Sequence, residues 1–389
     1  MHGLKWVSKL RIFQVVPYYP PHIGGMEVYV EYLSRKLAQK GHEVKVFTSS
    51  DRTYSYTENL NGVEVYRIKV SAKFYNTPIS NTLLSTLLNL EKPDVIDAHQ
   101  YPIYFSDIST IAASFKKVPL FLHVHVVPDP KSAFSDIVLK TYYGFVERFT
   151  LQASKCIIAP SRMYQRMLTR LGVNGERIVV VPYGVDLDRF HPTLEGADFK
   201  KRFKLEGSRV ILTVGRLNYQ KGFHFLIEAM PRILQQVPNA KLVVVGEGEL
   251  KGYLKSLANS LGLSENVVFT GVLPQPVIAE AYSAADVFVL PSLFESLGIS
   301  MLEAQAMEKP VVGTRVGGLP EALAEGKSGI LVEAKKPEEL ANAAVKILKN
   351  NDLATSMGKF GRKFVEKNYD LEKSIDKVLS YYSSSTWTD

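Results

Sequence analysis

Short apolar runs alternate with helix-period segments along the whole chain. The runs are rich in Val, Ile and Phe, which is typical of strands buried on both faces of a parallel sheet. Between the first two runs, Met26, Val30, Leu33 and Leu37 recur at helical spacing, and Gly41 follows where a helix end favours glycine. The predicted strands are 11–16, 43–47, 63–68, 95–97, 120–124, 155–159 and 178–181, then 210–214, 241–245, 267–270, 287–290, 311–314 and 329–332.

Two such series of strands and helices predict an α/β protein with two doubly wound domains. The segment 183–192 between them is rich in Gly, Asp and Pro, and a polar stretch follows it. We therefore predict domains at residues 1–190 and 205–370, with a C-terminal helix and tail at 371–389. A chain of 389 residues suits two domains of ordinary size.

Composition limits the classes of function. The single cysteine, Cys156, excludes an intrachain disulfide and a thiolate-rich zinc site. No apolar run is long enough for a signal peptide or a membrane span, so we expect a cytoplasmic protein. Residues 1–190 carry 23 Lys and Arg against 16 Asp and Glu, a surplus of 7 within a net charge of +8. This surplus either serves solubility or favours an anionic partner. No nucleic-acid-binding module accompanies it.

Ligands of doubly wound sheets bind beyond the carboxyl ends of the strands, so functional side chains are expected on the loops there. Gly24 and Gly25 follow the first strand and precede a helix, an arrangement that admits either an anion or a plain turn. Gly215, Arg216 and Lys221 follow strand 210–214. Two cations five residues apart suit a pyrophosphate, although solvated loop cations are the alternative.

Two carboxylates, Glu295 and Glu303, follow strand 287–290, with Gly298 between them at a helix start. If both were helical, eight residues would separate them by about 12 Å, which is too far to share one metal ion. They would instead bind two ends of an elongated ligand, with a phosphate at the helix N-terminus between them. The alternative for Glu303 is an exposed helix face.

Two histidines lie at the end of strand 120–124. His123 and His125 share one strand face, and a histidine there can hydrogen-bond a reacting sugar or phosphate. A structural role is the alternative, and a pair without a third ligand is weak grounds for a metal site. Asp186-Leu187-Asp188 matches an Asp-x-Asp metal string, but its place in the linker argues against a metal role.

In order and spacing, these features together resemble the retaining glycosyltransferases of family 4, which have the GT-B fold. The resemblance spans nearly the whole chain. It implies two Rossmann-like domains that face a central cleft, with the last helix crossing back to the first domain. It also implies transfer of a sugar from a nucleotide-diphosphate donor to an acceptor hydroxyl with retained configuration. Its carriers are Gly24-Gly25, His125, Ser161, the segment 182–186, Gly215-Arg216-Leu217 through Lys221-Gly222, the segment 245–248, and Pro291-Ser292 through Glu295 and Glu303.

The resemblance also implies residue roles. Arg216 and Lys221 would hold the donor diphosphate, Glu303 the ribose, and Glu295 the donor sugar near its reacting carbon. His125 would hydrogen-bond the sugar, whereas His123 stands where many members have Thr or Ser. No cofactor and no catalytic metal are expected. The implied catalytic set is Glu295, Arg216, Lys221 and His125, and the donor set is Gly25, Gly215, Arg216, Lys221, Gly246, Leu297, Gly298 and Glu303.

The acceptor is expected on the basic first domain. Lys69, Lys73, Phe74 and Tyr75 mix cations and aromatic rings after the third strand, which suits a glycan, glycolipid or lipid-linked sugar and peripheral membrane contact. Two alternatives stay open. One is a sugar-nucleotide epimerase of related fold. The other is a non-catalytic nucleotide-sugar-binding protein, against which the presence of both glutamates and both cations argues.

Overall fold

The computed structural model describes residues 9–22, 24–74, 77–100, 104–125 and 148–384. It divides into two compact units. The N-terminal unit comprises Met1–Pro182 with Ser374–Asp389, and the C-terminal unit is Tyr183–Lys373. No helix in these described ranges is both long and apolar enough to cross a bilayer.

The N-terminal unit is built on an eight-stranded sheet in the order β10-β9-β8-β7-β1-β2-β4-β3. Every neighbouring pair is parallel apart from β3, which runs antiparallel to β4. A separate hairpin joins β5 to β6. The strands are β1 (Arg11–Val15), β2 (Glu43–Ser49), β3 (Tyr56–Leu60), β4 (Val63–Ile68), β5 (Ala72–Phe74), β6 (Thr77–Ile79), β7 (Val95–Gln100), β8 (Leu120–Val124), β9 (Cys156–Ala159) and β10 (Ile178–Val180).

All seven strands predicted for this unit are present, and the differences have physical reasons. The sequence pattern missed β3, β5 and β6 because they are short edge or hairpin strands without an apolar run. Strands β3 and β5 also expose polar side chains, whereas β6 is mostly buried but only three residues long. Strand β7 extends to Gln100, three residues beyond its predicted end. The prediction stopped early because Asp97 and His99 are polar, although the strand buries both of them fully. These buried polar residues lie on β7, which borders the point between β1 and β7 where the strand order reverses.

Helices cover this sheet and bury the apolar faces predicted for them. Helix α1 buries Val30, Leu33 and Leu37 and ends just before Gly41, as its pattern predicts. Apart from the last helix of the chain, the described helices of this unit are α1 (Gly25–Gln39), α2 (Leu83–Asn89), α3 (Phe105–Lys116), α4 (Arg148–Ala153) and α5 (Arg162–Arg170).

The C-terminal unit has a six-stranded, wholly parallel sheet in the order β13-β12-β11-β14-β15-β16. Each of its six predicted strands is present, with ends within one residue of those expected. The order reverses between β11 and β14, as in a doubly wound nucleotide-binding sheet. The strands are β11 (Arg209–Val214), β12 (Ala240–Val245), β13 (Val267–Gly271), β14 (Val287–Leu290), β15 (Val311–Thr314) and β16 (Gly329–Val332).

The helices of the second sheet complete the predicted alternation. Phe223, Leu226, Ile227 and Met230 form the buried face of the helix after β11. The last helix begins in the C-terminal unit, and from Ser374 onwards it belongs to the N-terminal unit, as the family resemblance implies. The helices are α6 (Ala197–Arg202), α7 (Phe223–Gln236), α8 (Lys251–Ser260), α9 (Gln275–Ala284), α10 (Ile299–Ala306), α11 (Pro337–Leu348), α12 (Asn351–Asn368) and α13 (Leu371–Tyr382).

Candidate functional site

Two loops meet at the carboxyl edge of the C-terminal unit's sheet. One follows β11 and the other follows β14, the neighbouring strands at which the strand order reverses. The amide of Leu293 donates to the carbonyl of Gln220 at 2.7 Å, and the Gln220 side chain donates to the carbonyl of Phe294 at 3.0 Å. The fold therefore joins the two loops at the point where such sheets bind ligands.

Gly222 permits this close approach of the two loops. Its φ is +65°, and a Cβ there would collide with the carbonyl oxygen of Pro291. Only glycine accepts both the left-handed backbone and the contact without strain. Lys221, the residue before it, is thereby held against the second loop.

Lys221 forms the central ion pair of this edge. Its Nζ lies 2.6 Å from Glu295 Oε2, and Ser292 Oγ donates to the same oxygen at 3.2 Å. The side chain of Asn218 accepts from the Lys221 amide at 3.2 Å and fixes the turn. The acidic partner that the neighbouring sequence does not offer Lys221 thus comes from a residue 74 positions away.

Arg216 differs from Lys221 in its surroundings. It is exposed, and its guanidinium makes no hydrogen bond or ion pair with any residue that the structure describes. Glu295 Oε1 likewise has no hydrogen bond within the described ranges. Lys221 is therefore fixed by its ion pair, whereas Arg216 is available to a ligand. Glu295 Oε1 is also available, next to Lys221.

Glu295 owes its position to a glycine that the sequence analysis did not single out. Gly317 has a φ of +54°, and a Cβ on it would collide with the carbonyl oxygen of Glu295. The amide of Gly318 donates to that same carbonyl at 2.9 Å. The Gly-Gly pair after β15 is the signal that could have predicted this close contact.

Glu303 lies on α10, whereas Glu295 precedes that helix. Glu303 Oε2 accepts a hydrogen bond of 2.6 Å from the Tyr282 hydroxyl. Burial raises the pKa of Glu303 to about 7, and it outweighs the hydrogen bond from Tyr282 and the charge of Arg189, which both lower it. Glu303 is therefore a carboxyl group whose charge changes near neutral pH.

The remaining predicted donor residues line the same edge. Gly215 follows β11, and its amide donates to the carbonyl of Val245, which ends β12 just before Gly246. Leu297 is buried, and Gly298 immediately precedes α10. The structure thus brings these glycines to the strand ends of one sheet, together with the two cations and Glu295.

In the N-terminal unit, His125 belongs to a buried polar cluster. Gln14 of β1 pairs in register with Asp97 of β7, and His99 of β7 pairs with His123 of β8. His99 has no exposed surface, His123 is 1% exposed and His125 is 8% exposed. The sequence analysis missed Gln14, Asp97 and His99. The signal that could have predicted them is polar residues at alternate positions near the ends of two strands, Asp97 and His99 in one and His123 and His125 in the next.

Hydrogen bonds connect this cluster internally. His99 Nε2 lies 2.6 Å from Gln14 Oε1, and His99 Nδ1 lies 2.9 Å from His125 Nε2. The Tyr382 hydroxyl of α13 donates to Asp97 Oδ2. Burial lowers the pKa of both His99 and His125 well below the usual value of 6.5, so both imidazoles are neutral at pH 7.

The other predicted residues of the N-terminal unit lie on its surface. Gly25 is the first residue of α1, whose first turn carries Glu27, and an acidic side chain there already complements the helix dipole. Lys69, Lys73 and Phe74 are exposed, and Tyr75 lies outside the described residues.

In the linker of the C-terminal unit, Asp186 Oδ1 accepts from the amide of Arg189 at 3.0 Å.

Two family models match the chain in succession. The model described as Glycosyltransferase Family 4 matches residues 23–189, and the model described as Glycosyl transferases group 1 matches residues 195–364. A glycosyltransferase of Methanocaldococcus jannaschii is 30% identical, and the alignment covers 96% of this chain and 98% of the relative. The chain belongs to the group 1, family 4 glycosyltransferases.

A second relative agrees with this assignment, and a solved structure shows the same fold. The D-inositol 3-phosphate glycosyltransferase of Corynebacterium jeikeium is 39% identical, with 92% of this chain and 91% of the relative aligned. The Anabaena protein HepE, solved in complex with UDP-glucose, superimposes with a TM-score of 0.79 at 19% identity, covering 96% of this chain and all of the other. The predicted fold class, two Rossmann-like domains of the GT-B type, is confirmed.

The matched ranges divide the predicted residues of this glycosyltransferase between the two models. Gly25, His125 and the basic surface residues fall in the family 4 range. Arg216, Lys221, the two glutamates and Gly246 fall in the group 1 range. The ion pair of Lys221 with Glu295 and the hydrogen bond of Tyr282 to Glu303 both lie within the group 1 range.

Proposed function

We propose that this glycosyltransferase moves a sugar from a nucleotide-diphosphate donor to an acceptor hydroxyl with retention at the anomeric carbon. The single observation that carries the donor class is the fixed Lys221 beside the available Arg216 at the switch point of the second sheet. Two cations of this kind suit a diphosphate. The ammonium group of Lys221 is held in a fixed position, and the guanidinium of Arg216 is available to bind phosphate oxygens. The UDP-glucose bound by the Anabaena structural relative supports the same donor class.

The carboxylates give the donor its orientation in this proposal. Glu295 Oε1 accepts a hydroxyl of the donor sugar while Oε2 stays on Lys221 and Ser292. Glu303 accepts the ribose hydroxyls while Tyr282 holds its other oxygen. The first turn of α10, which begins after Gly298, directs its amide groups at the phosphates.

A front-face reaction fits these groups better than a double displacement. A carboxylate nucleophile must be free to attack, and Glu295 is held by an ammonium group at 2.6 Å. In the proposed step, the bond from the anomeric carbon to the phosphate oxygen breaks while the acceptor oxygen bonds to the same face. The leaving diphosphate takes the acceptor proton, and Lys221 and Arg216 stabilise the negative charge that develops on it. The donor chemistry then needs no divalent cation.

The acceptor is proposed to be a phosphate-bearing polyol, glycan or lipid-linked sugar bound by the N-terminal unit. The surplus of basic residues in that half of the sequence and the exposed Lys69, Lys73 and Phe74 favour such a partner. The D-inositol 3-phosphate named for the Corynebacterium relative supports the class. His125 hydrogen-bonds the transferred sugar, and contact with a membrane surface is peripheral.

A panel of donors and acceptors tests the proposal. UDP-, GDP- and ADP-sugars are incubated with and without inositol phosphates and glycolipids, and release of nucleoside diphosphate is measured. Release that depends on an acceptor, unchanged by added Mg²⁺ or Mn²⁺, is expected. Proton NMR of the product should show the anomeric configuration of the donor.

Three results would contradict the proposal. Conversion of the donor sugar to an isomer without an acceptor would indicate an epimerase. Donor binding without turnover across the panel would indicate a binding protein. Activity that depends on Mn²⁺ would assign the diphosphate charge to a metal ion rather than to Arg216 and Lys221.

A further inference from the structure

The buried histidines of the N-terminal unit have the geometry of metal ligands. His99, His123 and His125 each offer one ring nitrogen, and these nitrogens all lie within 4.8 Å of one another. Zn²⁺ binds imidazole nitrogen at about 2.0–2.1 Å, so nitrogens in a tetrahedral site stand roughly 3.4 Å apart. The His99 and His125 nitrogens, now 2.9 Å apart, need only a small ring rotation to admit an ion.

The surroundings of these imidazoles resemble the outer contacts of metal-binding histidines. Such histidines place the ring nitrogen that faces away from the metal against a carboxylate or a carbonyl oxygen. His99 Nε2 lies 2.6 Å from Gln14 Oε1, which leaves its Nδ1 facing His125. Asp97 Oδ2 lies 3.2 Å from His123 Nε2 and 3.6 Å from His99 Nε2.

The burial of the Asp97 carboxyl group is a second, independent observation. Its side chain has no exposed surface, and within the described ranges no lysine or arginine lies in ion-pair distance of it. Its partners there are the Tyr382 hydroxyl and the two imidazoles, and its Oδ1 has no hydrogen bond. His123 Nε2 is also buried, and among the described residues it makes no aligned hydrogen bond, although Asp97 Oδ2 lies 3.2 Å away. A buried carboxylate without a cation is costly, and a divalent ion beside it removes that cost.

We propose that His99, His123 and His125 form a Zn²⁺ site whose fourth ligand is a water molecule, with Asp97 supplying the counter-charge. His99 binds through Nδ1 and His125 through Nε2, with the His125 proton on its other nitrogen. The ion then ties β7 to β8 at their carboxyl ends and, through Asp97 and Tyr382, to α13. The ion holds the His125 ring in place, and the Nδ1–H of His125 is the group that hydrogen-bonds the transferred sugar in the proposed function.

Cobalt binding to the full-length protein tests the site, because Co²⁺ reports its coordination in the visible spectrum. Wild-type protein freed of metal is expected to bind one Co²⁺ per chain with the strong bands of a four-coordinate ion, and Zn²⁺ should displace it. The variants His99→Asn and His123→Asn should each lower Co²⁺ affinity by at least about tenfold. His42→Asn is the matched control, since His42 is a buried histidine of the same unit outside the cluster.

The outcomes separate the metal from its alternative, a proton. The absence of four-coordinate bands in wild-type protein would overturn the proposal even if the variants fail to fold. So would equal Co²⁺ affinity in wild type and His123→Asn. Nitrogen-15 NMR that shows His123 protonated on both ring nitrogens in the purified protein would assign the charge beside Asp97 to a proton and also overturn it.

Discussion

The two sheets of this glycosyltransferase use the same topological position in different ways. In the N-terminal unit, the polar groups at the switch point lie inside strands, are buried, and contact one another through Gln14, Asp97 and His99. In the C-terminal unit they lie on loops after the strands, with Arg216 exposed and Lys221 partly so. Groups that already have partners hold a structure together, whereas groups with spare bonding capacity receive a ligand. The difference supports the proposal that the first cluster stabilises the structure and the second binds the diphosphate.

The largest expected effect comes from the cations of the C-terminal unit. Arg216→Ala and Lys221→Ala should each lower kcat by about 10²–10³, with a smaller change in donor KM, because each stabilises charge that grows as the donor bond breaks. Steady-state kinetics and a melting curve for each variant provide the measurement. Arg232→Ala, which removes an exposed ion pair with Glu338, is the control and should retain wild-type kinetics. A melting temperature that falls in proportion to activity would instead indicate a structural role.

Glu295→Ala should have the next largest effect. It removes a contact to the donor sugar and releases Lys221, so kcat should fall by roughly 10², more than donor KM rises. Glu325→Ala breaks a surface ion pair of the same 2.6 Å length with Arg315, and its kinetics should be unchanged. If Glu295→Ala changed donor KM alone, the contact to the sugar would be no stronger in the transition state than in the ground state.

The pH dependence of donor binding tests the proposed role of Glu303. Its carboxyl gains a proton as the pH falls through about 7. The neutral group accepts ribose hydroxyls less well, so donor KM should rise in acid. Glu303→Gln should raise donor KM roughly tenfold at pH 8, as expected for a lost hydrogen bond to a charge, and should flatten the pH profile. A pH-dependent KM that persists in Glu303→Gln would assign the titration to another group.

The stability of the protein should change in the opposite direction. Because the folded pKa of Glu303 exceeds the ordinary value of 4.5, the folded state binds more protons than the unfolded chain between these values. The free energy of unfolding therefore falls as the pH rises from about 4.5 to 7. Melting curves at pH 8 should show Glu303→Gln to be more stable than wild type although it binds donor less well.

The smallest expected effect on turnover comes from the basic surface of the N-terminal unit, where a change should appear in membrane binding instead. Lys69→Ala with Lys73→Ala should weaken binding to anionic vesicles at low salt by roughly tenfold or more, at about 1 kcal/mol for each cation. Co-sedimentation provides the measurement, and high salt should weaken wild-type binding as well. Exposed Lys346 and Lys349 of the C-terminal unit, changed together to Ala, are the control. If wild-type protein fails to sediment with vesicles at low salt, the peripheral membrane proposal is wrong.

The sequence predicted the loop site far better than the buried cluster. Arg216, Lys221 and Glu295 stand next to apolar strands and glycines, so local pattern was enough to select them. Their ion pair was not predictable, because 74 residues separate Lys221 from Glu295 and only the strand order brings them together. Likewise, the hydrogen bond from Tyr282 to Glu303 depends on packing between α9 and α10.

The cluster was missed for a related reason. The predicted strand ended at the polar Asp97 and so left out His99. In the structure, His99 lies in the same strand and is the register partner of His123. Buried polar residues inside a strand contradict the apolar pattern by which such strands are recognised. Their partners on neighbouring strands lie 24 residues or more away along the chain, beyond the reach of any local signal.

Nucleotide binding to the C-terminal unit's cation pair tests the central claim most directly. The dissociation constants of the preferred nucleoside diphosphate and its monophosphate are measured by calorimetry for wild type and for Lys221→Ala, both as full-length protein. The account predicts that wild type binds the diphosphate at least tenfold more tightly, since the second phosphate meets Lys221 and Arg216, and that Lys221→Ala loses most of this preference. An undiminished preference in Lys221→Ala would contradict the account, because the second phosphate would then be bound elsewhere.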